Sequence, residues 1–285
     1  MNMKVSVSTW SFTNYNFDCP EKIVDIAADS GISALDVTLD DYEKYFRWTK
    51  ASDAEIERHF SFLRKYAEGK GVQLFQTHAP FAPFPHFLSE SFFNTTVKAL
   101  LATKAAGAKY CVFHSLVFPL YGKKDLWEEE LNFNLKYLAR LEPYLSEYGV
   151  VLCLENLYDW DKGEIRKIFV SEISGLNEYL SRLNENCFGA CLDTGHLNMF
   201  GGKPAEAVRS LGNRLKVLHL HDNDGVKDQH LIPYMGTADW TGFSVALKET
   251  GYSGTLNLEI KPLPYTKIAD SFWKYVRDLT LKTGL

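Results

Sequence analysis

Eight short apolar runs recur along this chain of 285 residues, and each is followed by a longer stretch whose apolar positions have helical spacing. The runs are VSVST (Val5 to Thr9), ISALDV (Ile32 to Val37), VQLFQTH (Val72 to His78) and KYCVFH (Lys109 to His114). They continue as VVLCLE (Val150 to Glu155), FGACLD (Phe188 to Asp193), LKVLHLH (Leu215 to His221) and TLNLEI (Thr255 to Ile260). Strands covered on both faces have continuous apolar sequences, as a parallel sheet requires. Gly31, Gly71, Gly107, Gly149 and Gly254 stand just before a run, and a glycine that follows a helix supplies the left-handed conformation that ends it. Helix-like composition fills 21–30, 54–70, 92–106, 126–148, 170–183, 203–211, 240–250 and 268–283.

Eight alternating strand–helix units at this length predict an α/β fold, the closed (β/α)8 TIM barrel, as a single domain over residues 1–285. Neither a Ser/Gly/Pro-rich tract nor a block of like charges marks a linker. An open doubly wound sheet would show fewer units, and no GxGxxG follows the first run to bind a dinucleotide.

The net charge of −5 gives no general attraction to phosphate backbones or anionic membranes, so nucleic acid is not an expected partner. The N-terminal segment lacks the apolar stretch and small-residue cleavage site of a secretory leader. No stretch approaches the ~20 apolar residues of a membrane span. Cys19, Cys111, Cys153, Cys187 and Cys191 are odd in number and show no disulfide-scaffold spacing. Cys111, Cys153 and Cys191 sit in apolar runs as small core residues, and a reducing cytoplasm is the expected location.

The chemistry gathers at the ends of the runs, which in a (β/α)8 barrel is where active sites form. His78 ends the third run, His114 the fourth, Glu155 the fifth and Asp193 the sixth, with His196 three residues on. His219 and His221 end the seventh, Asp228 and His230 follow in its loop, and Glu259 ends the eighth. Of the eight histidines only His59, placed mid-helix facing solvent, and His86, in a Pro/Phe loop, stand apart. One such residue alone is more often a hydrogen-bonded structural group. So many at one barrel mouth are costly without a cation, through desolvation and like-charge repulsion. Mixed Asp/Glu/His ligation points to a divalent Zn, Mn, Co or Fe rather than calcium.

In chain order the segments THAPF (Thr77 to Phe81), VFHSL (Val112 to Leu116), LENL (Leu154 to Leu157), CLDTGHLNMFG (Cys191 to Gly201), LHLHDND (Leu218 to Asp224), DQH (Asp228 to His230) and LEIK (Leu258 to Lys261) line up. This series resembles the xylose-isomerase-like superfamily, which holds sugar isomerases and epimerases, inosose dehydratases and endonuclease IV. The likeness spans first strand to last, with LDTGH and His219 to Asp222 its most specific pieces. The resemblance implies a core metal on Glu155, Asp193, His219 and Glu259. It further implies a second ion on His78 and His114 with Glu155, and a third on His196, Asp228 and His230, as in the endonuclease IV branch. His221, two residues beyond His219 and so on the same side of the strand, is expected to contact substrate.

Two reactions compete. In a sugar or sugar-phosphate isomerase or epimerase, the metal stabilises the enediolate formed when a proton leaves the carbon next to a carbonyl. Glu155 and Glu259 would then carry protons, with His196 as the next candidate. An endonuclease IV-like phosphodiesterase acting on abasic DNA would need Lys/Arg in the strand-end loops, and APFAPFPHFLSES after the third run has none. DQHLIPYMGTADW resembles the HxxPGxGxxDW segment of the isomerase branch, departing from it at Tyr234 and Met235. An inosose-type dehydratase lies within the carbohydrate option, and a binding protein without turnover is disfavoured because both glutamates are present. The expected partner is a small carbohydrate; barrels of this kind often pair through their helices or loops, so a homodimer is one assembly open to the chain, and no exposed apolar stripe in the sequence decides it.

Aromatic residues crowd the expected mouth: Trp10, Phe12, Phe81, Phe84, Phe87, Tyr158 and Trp160. Aromatic faces pack on sugar C–H surfaces, although most of these are expected to be ordinary loop packing. Trp10 and Trp160 are the expected ligand contacts, with His78 and His114 near the substrate. Lys261 offers a cation for a phosphate or a carbonyl, though a lysine past a strand is as commonly a solvated surface residue.

Overall fold

The computed structural model describes residues 3–15, 17–119, 126–161, 163–261 and 269–282. The first two residues of the chain and both ends of the last expected helix, 268 and 283, lie outside them. Each apolar run forms a strand: β1 (Val5–Ser8), β2 (Ala34–Thr38), β3 (Gln73–His78), β4 (Tyr110–Phe113), β5 (Val151–Glu155), β6 (Phe188–Asp193), β7 (Leu215–His219) and β8 (Leu256–Leu258). Their order in the sheet is β8-β1-β2-β3-β4-β5-β6-β7, all parallel. A bridge completes the circuit: the Leu220 N–H donates to Asn257 O at 2.8 Å, and the Glu259 N–H donates to Leu220 O at 3.1 Å. The TIM barrel expected from the eight runs is the fold observed.

Between the strands run α1 (Glu21–Asp29), α2 (Asp53–Gly69), α3 (Glu90–Ala105), α4 (Trp127–Tyr148), α5 (Ile173–Ser181), α6 (Pro204–Leu211), α7 (Phe243–Glu249) and α8 (Ala269–Lys282). Local sequence sets their ends. Ser52 and Glu55 form a capping box on α2, Ser89 accepts from the Phe92 N–H on α3, and Pro204 opens α6. Gly149 closes α4 at φ 67°. Before β8 the left-handed residue is Gly251 rather than the expected Gly254. Gly254 is needed for space instead, since a Cβ there would stand 2.2 Å from the Tyr252 hydroxyl.

The barrel interior has two characters. Val112, Val151, Cys153, Cys191 and Val217 from β4 to β7 make an apolar cluster beneath the site. On the other side, Ser6, Asp36, Gln76 and Asn257 from β1, β2, β3 and β8 are buried polar residues. The main apolar core lies between strands and helices, where Val5, Val7, Leu35 and Leu74 pack.

Several elements escaped the sequence reading: the 3-10 segment Thr9–Tyr15, the short helices Leu39–Tyr42 and Thr194–Asn198, and the hairpin of Asp159–Asp161 with Glu164–Arg166. His59 is half-buried rather than solvent-facing, with its ring stacked on Phe46 at 4.1 Å. No described helix is long and apolar enough to cross a membrane.

Candidate metal and substrate site

Glu155 ends β5 and is buried at the floor of the barrel mouth. Its Oε2 lies 3.4 Å from His78 Nε2 and 3.2 Å from His114 Nε2, both carried on neighbouring strand ends. Its Oε1 lies 3.3 Å from His219 Nδ1 and 3.5 Å from His196 Nδ1. Glu259, one residue beyond β8, approaches the same His219 Nδ1 with its Oε2 at 3.3 Å. Burial alone would raise the Glu155 carboxyl, but His219 and His114 outweigh it and hold it well below the usual range.

Two histidines are oriented by their other ring nitrogen. His219 Nε2 lies 3.1 Å from Asp36 Oδ2, which leaves Nδ1 to face the two glutamates. His196 Nδ1 donates to the Asn156 carbonyl at 2.9 Å, leaving Nε2 towards Asp228. Asn156 also bridges β5 and β6, donating to Asp193 O and accepting from the Asp193 N–H, each at 2.8 Å. The asparagine of LENL therefore fixes the relative height of Glu155 and Asp193.

A second group stands beside the first. Asp228 Oδ2 faces His230 Nε2 at 3.1 Å and His196 Nε2 at 3.5 Å, and accepts from the Tyr158 hydroxyl at 3.0 Å. His230 has φ 48°, a left-handed conformation that a non-glycine residue adopts at a cost and that clusters at functional sites. Its Nδ1 donates to Glu259 O at 2.8 Å. Burial pushes the His230 pKa down, but Asp228 and Glu259 carry it up to about 9.

The loop that carries Asp228 and His230 is hung on Asp222. Both of its oxygens are engaged, by the N–H groups of Asn223, Tyr234 and Ala238 and by the Trp240 indole. Gly236 lets the loop pass, since a Cβ there would lie 2.3 Å from Asp222 Oδ1. The aspartate after LHLH and the tryptophan of ADW are thus structural.

These residues suit divalent cations. Glu155 Oε2, Asp228 Oδ1 and His221 Nδ1 are buried without a hydrogen bond of good geometry, although buried polar atoms are nearly always partnered. Nitrogen and oxygen atoms each about 2.1 Å from one tetrahedral cation stand roughly 3.4 Å apart, close to the separations around Glu155. Four groups of donors have this proximity. They are His78, His114 and Glu155; Glu155, Asp193, His219 and Glu259; His196, His221, Asp228 and His230; and Glu155, Cys191 and His219. The last contains the buried thiol of Cys191, whose pKa burial pushes up.

A cavity of about 860 Å³ opens above Glu155, and His78, His114, His196, Asp228, His230, Glu259, Trp10 and Trp160 all line it. Trp10 lies against His230, with ring centroids 4.6 Å apart. Two expected substrate contacts stand elsewhere. His221 is fully buried outside the lining; its Nε2 is 2.9 Å from Asp193 Oδ2 and its ring stacks on His230 at 3.8 Å. The chain has left β7 by this point, so strand alternation no longer aims the side chain. Lys261 is likewise exposed and outside the lining, because β8 ends at Leu258. Asp36 went unnoticed although a carboxylate inside an apolar run was a signal. Asp40 and Asp41 also line the cavity, and burial raises both of their pKa values.

The chain belongs to the xylose isomerase-like TIM barrel family, whose model matches residues 24–273. It is similar to the uncharacterized protein y4fM of Sinorhizobium fredii, at 24% identity over 98% of this chain and 94% of that one. A D-psicose 3-epimerase of Ruminiclostridium cellulolyticum is 24% identical over 73% of this chain and 69% of its own. Among solved structures, the IOLI protein with a binding zinc atom superposes with a TM-score of 0.77 at 19% identity, covering 99% of this chain and 98% of that one.

Proposed function

We propose that this chain is a metal-dependent sugar or sugar-phosphate isomerase or epimerase that moves a proton at the carbon next to a carbonyl. The observation that carries this reading is the convergence of Glu155 Oε1 and Glu259 Oε2, from β5 and the end of β8, on His219 Nδ1 at 3.3 Å each. Similarity to a D-psicose 3-epimerase and to a zinc-holding barrel supports it.

Glu155, Asp193, His219 and Glu259 would hold the cation. When bound, a divalent ion supplies a Lewis acid that makes the carbon next to a coordinated carbonyl more acidic. One glutamate takes the proton from that carbon, the electron pair passes into the enediolate, and the other returns a proton. Return to the same carbon from the opposite face gives an epimer, and return to the former carbonyl carbon gives an isomer. Both glutamates line the cavity, but Glu155 is fully buried among its histidines while the Glu259 side chain is partly open to it. Glu259 is therefore the better placed of the two to exchange a proton with a ligand. Trp10 packs the sugar face beside His230, and Tyr158 holds Asp228.

The test is solvent hydrogen exchange. Manganese-loaded protein incubated in D2O with D-fructose, D-psicose and their phosphates should introduce deuterium next to the carbonyl. Glu155→Gln and Glu259→Gln should each slow exchange by about 10²-fold or more. Exchange at the native rate in Glu259→Gln would transfer the proton role to His196.

The group of His196, Asp228 and His230 favours a second reading, phosphodiester hydrolysis on abasic DNA with three cations. Against it, the cavity lining has no Lys or Arg among the described residues, whereas DNA binding relies on cationic side chains. Cleavage of an abasic duplex, with no deuterium entering any ketose, would establish it.

A further inference from the structure

The cavity divides in chemistry. Its floor holds the histidines and most of the carboxylates, while the loops on one side contribute mainly apolar side chains. The loop after β3 contributes Phe81 and Phe84, the loop after β4 contributes Leu116, Val117 and Pro119, and the hairpin after β5 contributes Trp160. These strands are neighbours in the sheet, so their loops form one arc. The arc begins at the reactive end, where the Phe81 ring lies 5.3 Å from that of His114.

This wall is held in place and left open. Phe84 leans on Phe87 and Phe118, with centroids 5.9 and 5.7 Å away, and Phe87 is buried. Yet Phe81 is 62% exposed, Phe84 44% and Trp160 61%. Large aromatic surface kept in water beside a cavity is surface that a ligand can cover. Size agrees: 860 Å³ lies near the top of the roughly 300–1,000 Å³ that holds a drug-sized ligand, several times the bulk of one monosaccharide. Charge agrees as well. Asp40, Asp41, Asp159, Asp228, Glu155 and Glu259 line the cavity, and no Lys or Arg does so among the described residues.

We propose that the substrate is an uncharged glycoside, whose sugar lies on the His/Glu floor and whose apolar aglycone packs against the wall of Phe81, Phe84 and Trp160. The inference rests on the sugar-chemistry reading above and narrows it. A sugar with its anomeric oxygen tied to an aglycone cannot open to a chain. Its carbonyl must therefore be a ring ketone. The C–H next to that ketone breaks, its electron pair enters the ring enediolate, and the proton passes to a glutamate. A proton then returns to the other face, so nothing is oxidised or reduced overall.

Binding and exchange separate the two claims. Manganese-loaded full-length protein is titrated by calorimetry with the phenyl and methyl 3-keto-β-D-glucopyranosides and with the 6-phosphate of the methyl compound. The phenyl glycoside should bind at least tenfold more tightly than the methyl. That ratio should fall towards one in Phe81→Ala and in Phe84→Ala, with Phe81→Leu keeping an intermediate ratio and thermal melts confirming that each variant is folded. Equal affinity for phenyl and methyl compounds, no saturable binding of either, or tightest binding of the phosphate would overturn the proposal. Deuterium exchange from D2O into the same ketones is read separately. A phenyl preference without exchange would remove the proton-transfer reading and leave the aglycone subsite standing.

Discussion

Asp36 and His219, 183 residues apart in sequence, meet inside the barrel with Oδ2 and Nε2 at 3.1 Å, both fully buried. Asn257 donates to the same oxygen at 3.2 Å and accepts from the Ser6 hydroxyl at 2.8 Å. Ser6, Asn257 and Asp36 thus form a chain of contacts that ends on His219 Nε2 and leaves its Nδ1 to Glu155 and Glu259. A carboxylate on the outer nitrogen fixes the tautomer and raises the basicity of the other nitrogen as a ligand.

Replacing Asp36 by Asn keeps the shape but removes the charge behind His219. Metal affinity should fall about 10- to 100-fold, read by chelator competition, with the circular dichroism spectrum unchanged. Unchanged affinity would mean that His219 needs no such support.

Gly195 in LDTGH has no left-handed backbone requirement; its role is clearance. A Cβ there would lie 1.9 Å from His221 Cε1, far inside contact distance. Gly195→Ala should push His221 away from Asp193, with which it pairs at 2.9 Å. Overpacking of this kind costs about 1–3 kcal/mol, so denaturant titration should show that loss. A neutral effect would mean that the His221 ring can swing clear.

Glu130, on α4, lies buried away from the metal groups, and its Oε2 accepts the Phe118 N–H at 2.8 Å. Burial raises its carboxyl from 4.5 to about 7, the Phe118 bond opposes this, and Asp159 adds to it. Between those two pH values the folded chain binds more protons at this residue than the unfolded chain. Its contribution to stability is therefore complete below about pH 4.5, declines as pH rises and is lost above about 7. The full span is on the order of 3 kcal/mol. Glu130→Gln retains an acceptor for Phe118 and cannot ionise. Its advantage over the native chain in urea titrations should grow from pH 5 to pH 8, and a constant difference would contradict the linkage.

Periodicity and glycine position made the barrel legible, because a both-face-buried strand and an amphipathic helix leave different apolar spacings. Metal-capable side chains at run ends were legible for the same reason: strand ends meet at one mouth whatever the loops do. Legibility failed where the chain leaves regular structure. His221 follows the last residue of β7 and was aimed by an alternation that had already ended, while Lys261, beyond the end of β8, is the solvated surface lysine that its position equally allowed. The hairpin carrying Trp160 is only three residues on each side, too short for a period to emerge, although Gly163 marked its turn. Asp36 left one local sign, a carboxylate inside an apolar run, but its partner His219 is distant in sequence and no local pattern reports a contact across the barrel.

The number of cations is decided by two substitutions that act on different groups. Glu155 touches the histidines of one group and shares the second with Asp193, His219 and Glu259, so Glu155→Gln strikes both. His230 belongs only to the outer group with His196, His221 and Asp228. Elemental analysis of native protein reconstituted with Zn or Mn should therefore fall most in Glu155→Gln. If only the core holds an ion, His230→Ala should match the native content. A loss of one ion in His230→Ala would show that the outer group binds metal as well. Chelation should lower the melting temperature of the native chain, because it leaves Glu155, Asp193 and Glu259 packed around His219 without their cation. A melt insensitive to chelator, together with no metal retained after reconstitution, would overturn the metal-site reading and the proton-transfer role built on it.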